Sequence, residues 1–333
     1  MRAIVLEKFG GLDSLVYKDI PEPVPAAGHV VIQIKAFGIN HAEMHMRRGE
    51  WAEAAPVSGI ECVGLVKSCP GGEFPVGAKV AALMGGLGRT INGSYAELTR
   101  APVENVALID AELPWAELAA IPESYATAWT CLFRNLEIQK GQLLVIRGAT
   151  SSFGQAALKL AVNAGARVIA TTRNRDRFAM LGKLGAGRCE IERPDLSKHI
   201  AEAKKIDAVL DLVGNSVVLD SLAMLRRGGR SCLAGLAVLI RSPTSTRCCR
   251  WRAASISPSS AASCLAHRAF RSRTCRLVRL PGTPRPVGST SSRPVSFALR
   301  RSARLIASWR PARQVERWSS STGERRGSAD RAA

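Results

Sequence analysis

The residues best suited to chemistry in this sequence are Gly148-Ala149-Thr150-Ser151-Ser152-Phe153-Gly154, a run of small side chains between two apolar stretches. A strand, a tight small-residue turn and a helix in that order would set a ligand's pyrophosphate on a helix N-terminus. Free backbone N–H groups and the helix dipole favour negative charge there. Only Gly148 and Gly154 are glycine, and the G-x-G-x-x-G spelling is missing, so an ordinary βα turn stands as the alternative. Further on, Ala170-Thr171-Thr172-Arg173-Asn174-Arg175 ends what reads as the next strand. It offers hydroxyls and two guanidiniums, with no carboxylate before Asp176. An acidic residue at that point holds the ribose 2′-OH of NAD, whereas arginine pairs with phosphate bidentately. Thr172, Arg173 and Arg175 therefore predict NADPH rather than NADH, with a solvated basic loop as the alternative. His41 and His45 are spaced to share a helix face, but Glu43 is not where an H-E-x-x-H site needs it. They read as solvated or packed histidines, and no metal is expected.

These groups need elements to hold them. Leu143–Arg147 is a short run of the kind buried in a parallel strand, and Ala156, Ala157, Leu158, Leu160 and Ala161 follow with helical propensity. Strands are expected at Arg167 to Thr171, 207–213 and 230–234, with helices before Leu184-Gly185-Ala186 and over 219–225. That alternation argues an α/β, doubly wound parallel sheet. Residues 1–122 read differently, as a β-rich domain. Short alternating segments such as 30–34 and Lys79–Leu83 are punctuated by Pro21-Glu22-Pro23-Val24-Pro25 and Gly71-Gly72.

The 333 residues suffice for two domains, and the formal net charge of +20 suggests a nucleic-acid partner until it is located. Residues 237–333 hold 20 Arg, no Lys and 3 acidic residues, a net +17, which leaves +3 for residues 1–236. The long apolar run 233–240 is too short to span a bilayer, so no membrane association is expected. Residues 1–6 read as a first strand rather than a leader. Nine cysteines without a C-x-x-C fit reduced thiols in the cytoplasm.

Several further segments carry a resemblance: Ala36-Phe37-Gly38-Ile39-Asn40, Gly59-Ile60-Glu61-Cys62-Val63-Gly64, Gly93-Ser94-Tyr95-Ala96-Glu97 and Thr127-Ala128-Trp129. With the 148–154 turn, Leu184-Gly185-Ala186, Asp211-Leu212-Val213-Gly214 and Gly228-Gly229-Arg230, they stand in order over about seven tenths of the chain. Residues 1–236 resemble a medium-chain dehydrogenase/reductase of the zinc-independent quinone oxidoreductase branch. The resemblance implies a GroES-like β-barrel that carries substrate over 1–122, then a Rossmann domain that binds NADPH over 123–236. It implies a soluble enzyme that passes a hydride to a quinone or an α,β-unsaturated carbonyl. Asn40 matches the family's asparagine near the nicotinamide, and Thr127 a residue at the domain junction, so both are assigned to positioning cofactor and substrate. Val213 and Gly214 join the turn residues as cofactor contacts. Tyr125 is the candidate general acid, with a tyrosine packed at the domain junction as the alternative. Asn40 and Ile60 stand where zinc-dependent relatives carry cysteine and histidine, and neither can ligate zinc in their place. A quinone or enone accepts hydride as a delocalised anion, so a metal-free site held together by orientation is chemically coherent. Two departures are noted: Ser151-Ser152 where many relatives have Gly-Gly, and Glu192 where some carry a tyrosine that helps enclose the adenosine.

After Leu236 the pattern stops. Residues 237–333 contain 20 Arg and 18 Ser with no helical or strand period. Shifting the reading frame, with permitted synonymous codons, turns 314–323 into GGKMVVVNG, and 294–299 and 262–278 also become family-like, in the right order. The stretch is read as a frameshift product, equivalent to one lost base near codon 235, and is expected to be disordered and to impair activity. The family's dimer, made through the missing edge strand, is expected to be lost with it. The competing reading is a nucleic-acid-binding protein that uses the Arg-rich stretch for contact and the reductase part as a scaffold. With few aromatics and no motif in that stretch, nucleic acid is not the expected partner.

Overall fold

The computed structural model describes residues 1–51, 53–214, 216–234 and 249–252, and these build two compact units. One comprises Met1–Arg47 with Glu53–Pro122, the other residues 48–51 with the described residues from Glu123 to Arg252.

In the first unit, β1 (Arg2–Leu6) and β2 (Leu15–Asp19) form an antiparallel pair. Strands β3 (His29–Ala36), β4 (Glu61–Ser68), β5 (Lys79–Leu83), β6 (Leu98–Pro102) and β7 (Val106–Leu108) form an antiparallel sheet in the order β6-β3-β4-β5-β7. Alternation sets its core: Val30, Ile32 and Ile34 pack with Cys62, Val66, Val80 and Ala82, while Gln33 faces out. Gly64 lets β4 close on β3, because a Cβ there would lie 2.1 Å from the Gln33 carbonyl oxygen. Helix α1 (His41–Arg47) follows β3, and α2 (Trp115–Leu118) closes the unit.

The second unit opens with α3 (Pro122–Trp129) and alternates from there. Its elements are β8 (Leu143–Arg147), α4 (Ser152–Asn163), β9 (Arg167–Thr172), α5 (Phe178–Lys183), β10 (Arg188–Ile191), β11 (Ile206–Asp211), α6 (Val218–Ala223) and β12 (Leu225–Leu233). With β13 (Cys249–Arg252) at one edge, the sheet order is β10-β9-β8-β11-β12-β13, parallel from β10 to β12. The order reverses between β8 and β11, and open α/β sheets bind ligands beyond the carboxyl ends of the strands at such a point. Leu144, Val145 and Ile146 are buried in mid-sheet, and α4 lays Ala156, Ala157, Leu158, Leu160 and Ala161 on it.

Three boundaries depart from the sequence reading. The strand expected at 207–213 ends at Asp211, because residues 212–214 turn over the Asp211 carboxylate. The helix expected over 219–225 is Val218–Ala223. The strand expected from Arg230 begins at Leu225 and runs through a bulge at Gly228 (φ +79°), which reads as a turn in sequence. Within the C-terminal stretch, Cys249–Arg252 form β13, antiparallel to β12, where no strand period is legible. The rest of 237–333, with the expectation of disorder attached to it, lies outside the described residues. No helix among the described residues is long and apolar enough to cross a membrane.

Candidate functional site

β8 delivers the chain into the turn, and Gly148 takes it at φ +75°, a conformation that side chains disfavour. Ser151 caps α4, its Oγ accepting the Gly154 N–H at 3.0 Å. The same hydroxyl lies 3.2 Å from the Gly148 carbonyl, so it is engaged inside the turn rather than free to donate to a pyrophosphate. Gly154 lies flat on the turn, where a Cβ would sit 2.7 Å from both Ala149 Cα and the Gly148 oxygen. The N–H groups of Ser152 and Phe153, in the first turn of α4, have no intrahelical acceptor. They are the donors this turn presents to an anion.

β9 braces the turn from beside it. The Gly148 N–H donates to Thr171 Oγ1 at 3.0 Å and the Ala149 N–H to the Thr171 carbonyl at 2.9 Å. Thr172 is buried, its hydroxyl accepting the Asn174 N–H at 3.2 Å. Arg173 and Arg175 are exposed, and the Arg175 guanidinium lies 5.8 Å from the Phe178 ring centre. Across the switch point, Asp211 Oδ1 accepts the N–H groups of Val213 (3.0 Å) and Gly214 (2.9 Å), with Gly214 at φ +100°. Burial raises the pKa of Asp211 against the opposing pull of these hydrogen bonds, of Ser221 and of Arg147.

Beneath both turns lies a group that the sequence reading placed in an apolar run. Arg147 is 0% exposed. Its Nη1 donates to Asp220 Oδ2 at 2.8 Å, Ser221 Oγ at 3.1 Å and the Val217 carbonyl at 3.4 Å. Its Nη2 donates to the Arg193 carbonyl at 2.6 Å, and Nε to Glu192 Oε1 at 3.1 Å. Nη2 also pairs with the Glu192 carboxylate. Ser221 Oγ in turn donates to Asp211 Oδ2 at 2.7 Å. Burial alone would lower the Arg147 pKa, but the Glu192 hydrogen bonds and charge outweigh it and hold the guanidinium charged. Glu192, which stands where some relatives carry an adenosine-enclosing tyrosine, is the counter-ion of Arg147 and the acceptor of the Thr171 hydroxyl.

In the first unit, Asn40 sits at the entry to α1, its amide Nδ2 donating to Glu61 Oε1 at 2.9 Å. Its backbone N–H donates to Glu43 Oε2 at 2.6 Å, and the same oxygen accepts the Tyr95 hydroxyl at 2.8 Å. Glu43 Oε1 accepts the Ile60 N–H at 3.1 Å. Burial raises the Glu43 pKa against these hydrogen bonds. The Tyr95 phenol is pushed upward by burial and by the Glu43 charge. Gly59 (φ +104°) permits the crossing, since a Cβ there would meet Ser94 Oγ at 2.2 Å. His41 and His45 stack edge to face at 5.4 Å, and no trio of metal-capable side chains occurs among the described residues. In the second unit, Tyr125 and Thr127 share α3. The Thr127 hydroxyl donates to Glu123 Oε1 at 2.8 Å, and burial raises the Tyr125 pKa, keeping it a neutral donor.

Sequence reasoning missed Arg147, Asp220 and Ser221 and gave no role to Glu43, Glu61, Tyr95 or Asp211. A charge closing an otherwise apolar strand was the available signal for Arg147.

Two family models match the chain: the alcohol dehydrogenase GroES-like domain over residues 26–111 and the zinc-binding dehydrogenase domain over residues 153–257. The quinone oxidoreductase of Lama guanicoe is 27% identical over 248 residues, covering 71% of this chain and 73% of that protein. A mycobacterial protein solved in complex with NADPH is 25% identical with a TM-score of 0.64, over 71% of this chain and 74% of that one. An NAD-dependent alcohol dehydrogenase structure is 28% identical at TM-score 0.64, over 69% and 76%.

Proposed function

Since the chain is a medium-chain dehydrogenase/reductase of the quinone oxidoreductase type, we propose that it transfers a hydride from NADPH to a quinone or an α,β-unsaturated carbonyl without zinc. The observation that carries the reading is the 148–154 turn, which leaves no room for a Cβ at Gly154 and presents the Ser152 and Phe153 N–H groups at a helix N-terminus. A pyrophosphate fits that cradle. Structural neighbours include both an NADPH complex and an NAD-dependent enzyme, so cofactor choice rests on this chain's own residues. Exposed Arg173 and Arg175 beyond β9, with no carboxylate between them, suit a 2′-phosphate.

When bound, the nicotinamide supplies the hydride. Gly148, Ala149, Thr150, Ser151, Ser152, Phe153 and Gly154 would form the cradle for the pyrophosphate, with the Ser152 and Phe153 N–H groups as its donors, and Val213 and Gly214 would form the facing wall. Asn40 is the residue proposed to orient the acceptor, its amide held by Glu61 and its backbone N–H by Glu43. Tyr125 is the candidate proton donor for the anion left after hydride transfer. Zinc has no place in this reading: the Asn40 amide is engaged with Glu61, and Ile60 offers no ligand atom. A small-molecule acceptor in the cytoplasm completes it.

The test is NADPH oxidation by the full chain with 1,4-naphthoquinone and with an enal, alongside titration of NADP⁺ by tryptophan fluorescence. Saturable NADP⁺ binding with chelator-resistant turnover is the expected result. Absence of saturable binding to either nicotinamide cofactor would overturn the proposal.

A further inference from the structure

We propose that Arg147 is the positioning residue of the cofactor cleft, one buried guanidinium that sets the geometry of both cofactor-facing turns; this rests on the nicotinamide-cofactor reading above. The two turns leave different strands and share no direct hydrogen bond among those described. Besides the backbone bond from the Leu212 N–H to the Arg147 carbonyl at 3.2 Å, the Arg147 side chain links them. On one side the path runs from Arg147 to Glu192, from Glu192 to the Thr171 hydroxyl, and from that oxygen to the Gly148 N–H at 3.0 Å. On the other it runs from Arg147 Nη1 to Ser221 Oγ (3.1 Å), to Asp211 Oδ2 (2.7 Å), and from Asp211 Oδ1 to the Val213 and Gly214 N–H groups. Asp220, on the same Nη1, also accepts the Ser197 N–H at 3.0 Å and ties in the segment after β10.

The charge balance fits this role. Glu192 and Asp220 side chains are 7% and 10% exposed, and Asp211 is buried, so three carboxylates surround one guanidinium. Without Arg147 the buried carboxylates would face one another unpaired, beside the place where a dinucleotide's phosphates are to sit. A guanidinium is required because its planar fork reaches several acceptors at once. An ammonium offers three donors from a single point and cannot span from Glu192 to Ser221.

The test compares wild type with Arg147→Lys and Ser221→Ala in the full chain. It uses NADP⁺ and, as a ligand lacking the pyrophosphate, adenosine 2′-monophosphate, with amide hydrogen exchange on the ligand-free proteins. Arg147→Lys is expected to weaken NADP⁺ at least tenfold, to weaken adenosine 2′-monophosphate much less, and to leave the NADP⁺/NAD⁺ preference unchanged because Arg173 and Arg175 are untouched. Exchange should quicken at Gly148, Ala149, Val213 and Gly214. Ser221→Ala cuts only the Asp211 branch, so exchange should quicken at Val213 and Gly214 and not at Gly148. Equal losses for both ligands, or unchanged exchange at all four amides, would overturn the inference. If Arg147→Lys fails to fold, the Ser221→Ala exchange pattern decides alone. Wild type that does not bind NADP⁺ refutes the cofactor reading, while the exchange data still decide whether Arg147 sets the turns.

Discussion

At the scale of single residues, the arginines beyond β9 and the glutamate beneath Asn40 make separable claims. Arg173 and Arg175 are exposed and their charge is not opposed by a carboxylate between them, so either can meet a 2′-phosphate. Arg173→Ala is expected to erode the proposed NADPH over NADH preference by about 1–3 kcal/mol, the range for a charge-assisted hydrogen bond. Titrating both cofactors against the variant checks it, and an unchanged ratio would return Arg173 to the solvent. Glu43 makes a claim about pH. Burial raises its pKa above the ordinary 4.5, so the folded chain holds that proton more tightly than the unfolded one. The contribution favours folding below the ordinary value and is lost as pH rises through the raised one. Glu43→Gln removes the titration. The stability of wild type relative to the variant should therefore decline as pH rises above the ordinary 4.5, read from urea unfolding at each pH. Parallel profiles would place the Glu43 proton elsewhere.

At the scale of elements, the legible and the illegible parts of the chain differ for a physical reason. β8, α4 and the turn between them are local: an apolar run, small residues and a helix-forming stretch are contiguous, so periodicity reveals them. β12 was legible only in its second half, because Arg226-Arg227-Gly228-Gly229 reads as a turn while the chain bulges against β11. The Arg147 network was hidden altogether. Its members are drawn from positions 147, 192, 211, 220 and 221, and nothing local in the sequence says that they converge. The Asn40 network is hidden in the same way, since Tyr95 reaches Glu43 from far along the chain. The turn itself can be tested. A Cβ at Gly154 meets backbone at 2.7 Å, and backbone cannot swing aside as a flexible side chain can. Gly154→Ala should destabilise the fold by ~1–3 kcal/mol, the range for overpacking, and weaken NADP⁺. Ser151→Ala removes the cap of α4 and the hydroxyl's contact with the Gly148 carbonyl, and should cost ~1 kcal/mol with a smaller effect on binding. Denaturant unfolding and cofactor titration on the pair check the order; equal effects would mean that Gly154 is not the tighter constraint.

At the scale of the whole molecule, charge and topology point to the same place in the chain. Residues 1–236 carry a net +3 and residues 237–333 a net +17, and the change falls just after β12. A dinucleotide sheet of this order continues with a sixth strand parallel to the fifth. Here the place beside β12 is taken by the four residues of β13, running antiparallel. An antiparallel edge strand on a parallel sheet is tolerated, so the direction alone does not condemn the chain. Its composition adds weight, because the shifted frame yields GGKMVVVNG from 314–323, with apolar residues of the kind a buried strand needs. We expect that restoring one base near codon 235 gives a chain with higher Tm and faster NADPH-dependent quinone reduction than the chain as it stands. Total stability of a domain is only ~5–15 kcal/mol, so a properly paired edge strand is a large fraction of it. The two chains, made side by side, are compared by thermal unfolding and by turnover with 1,4-naphthoquinone. The restored chain is also expected to elute as a dimer if its edge strand pairs as the family resemblance implies. Equal Tm and equal turnover in the two would overturn the frame reading.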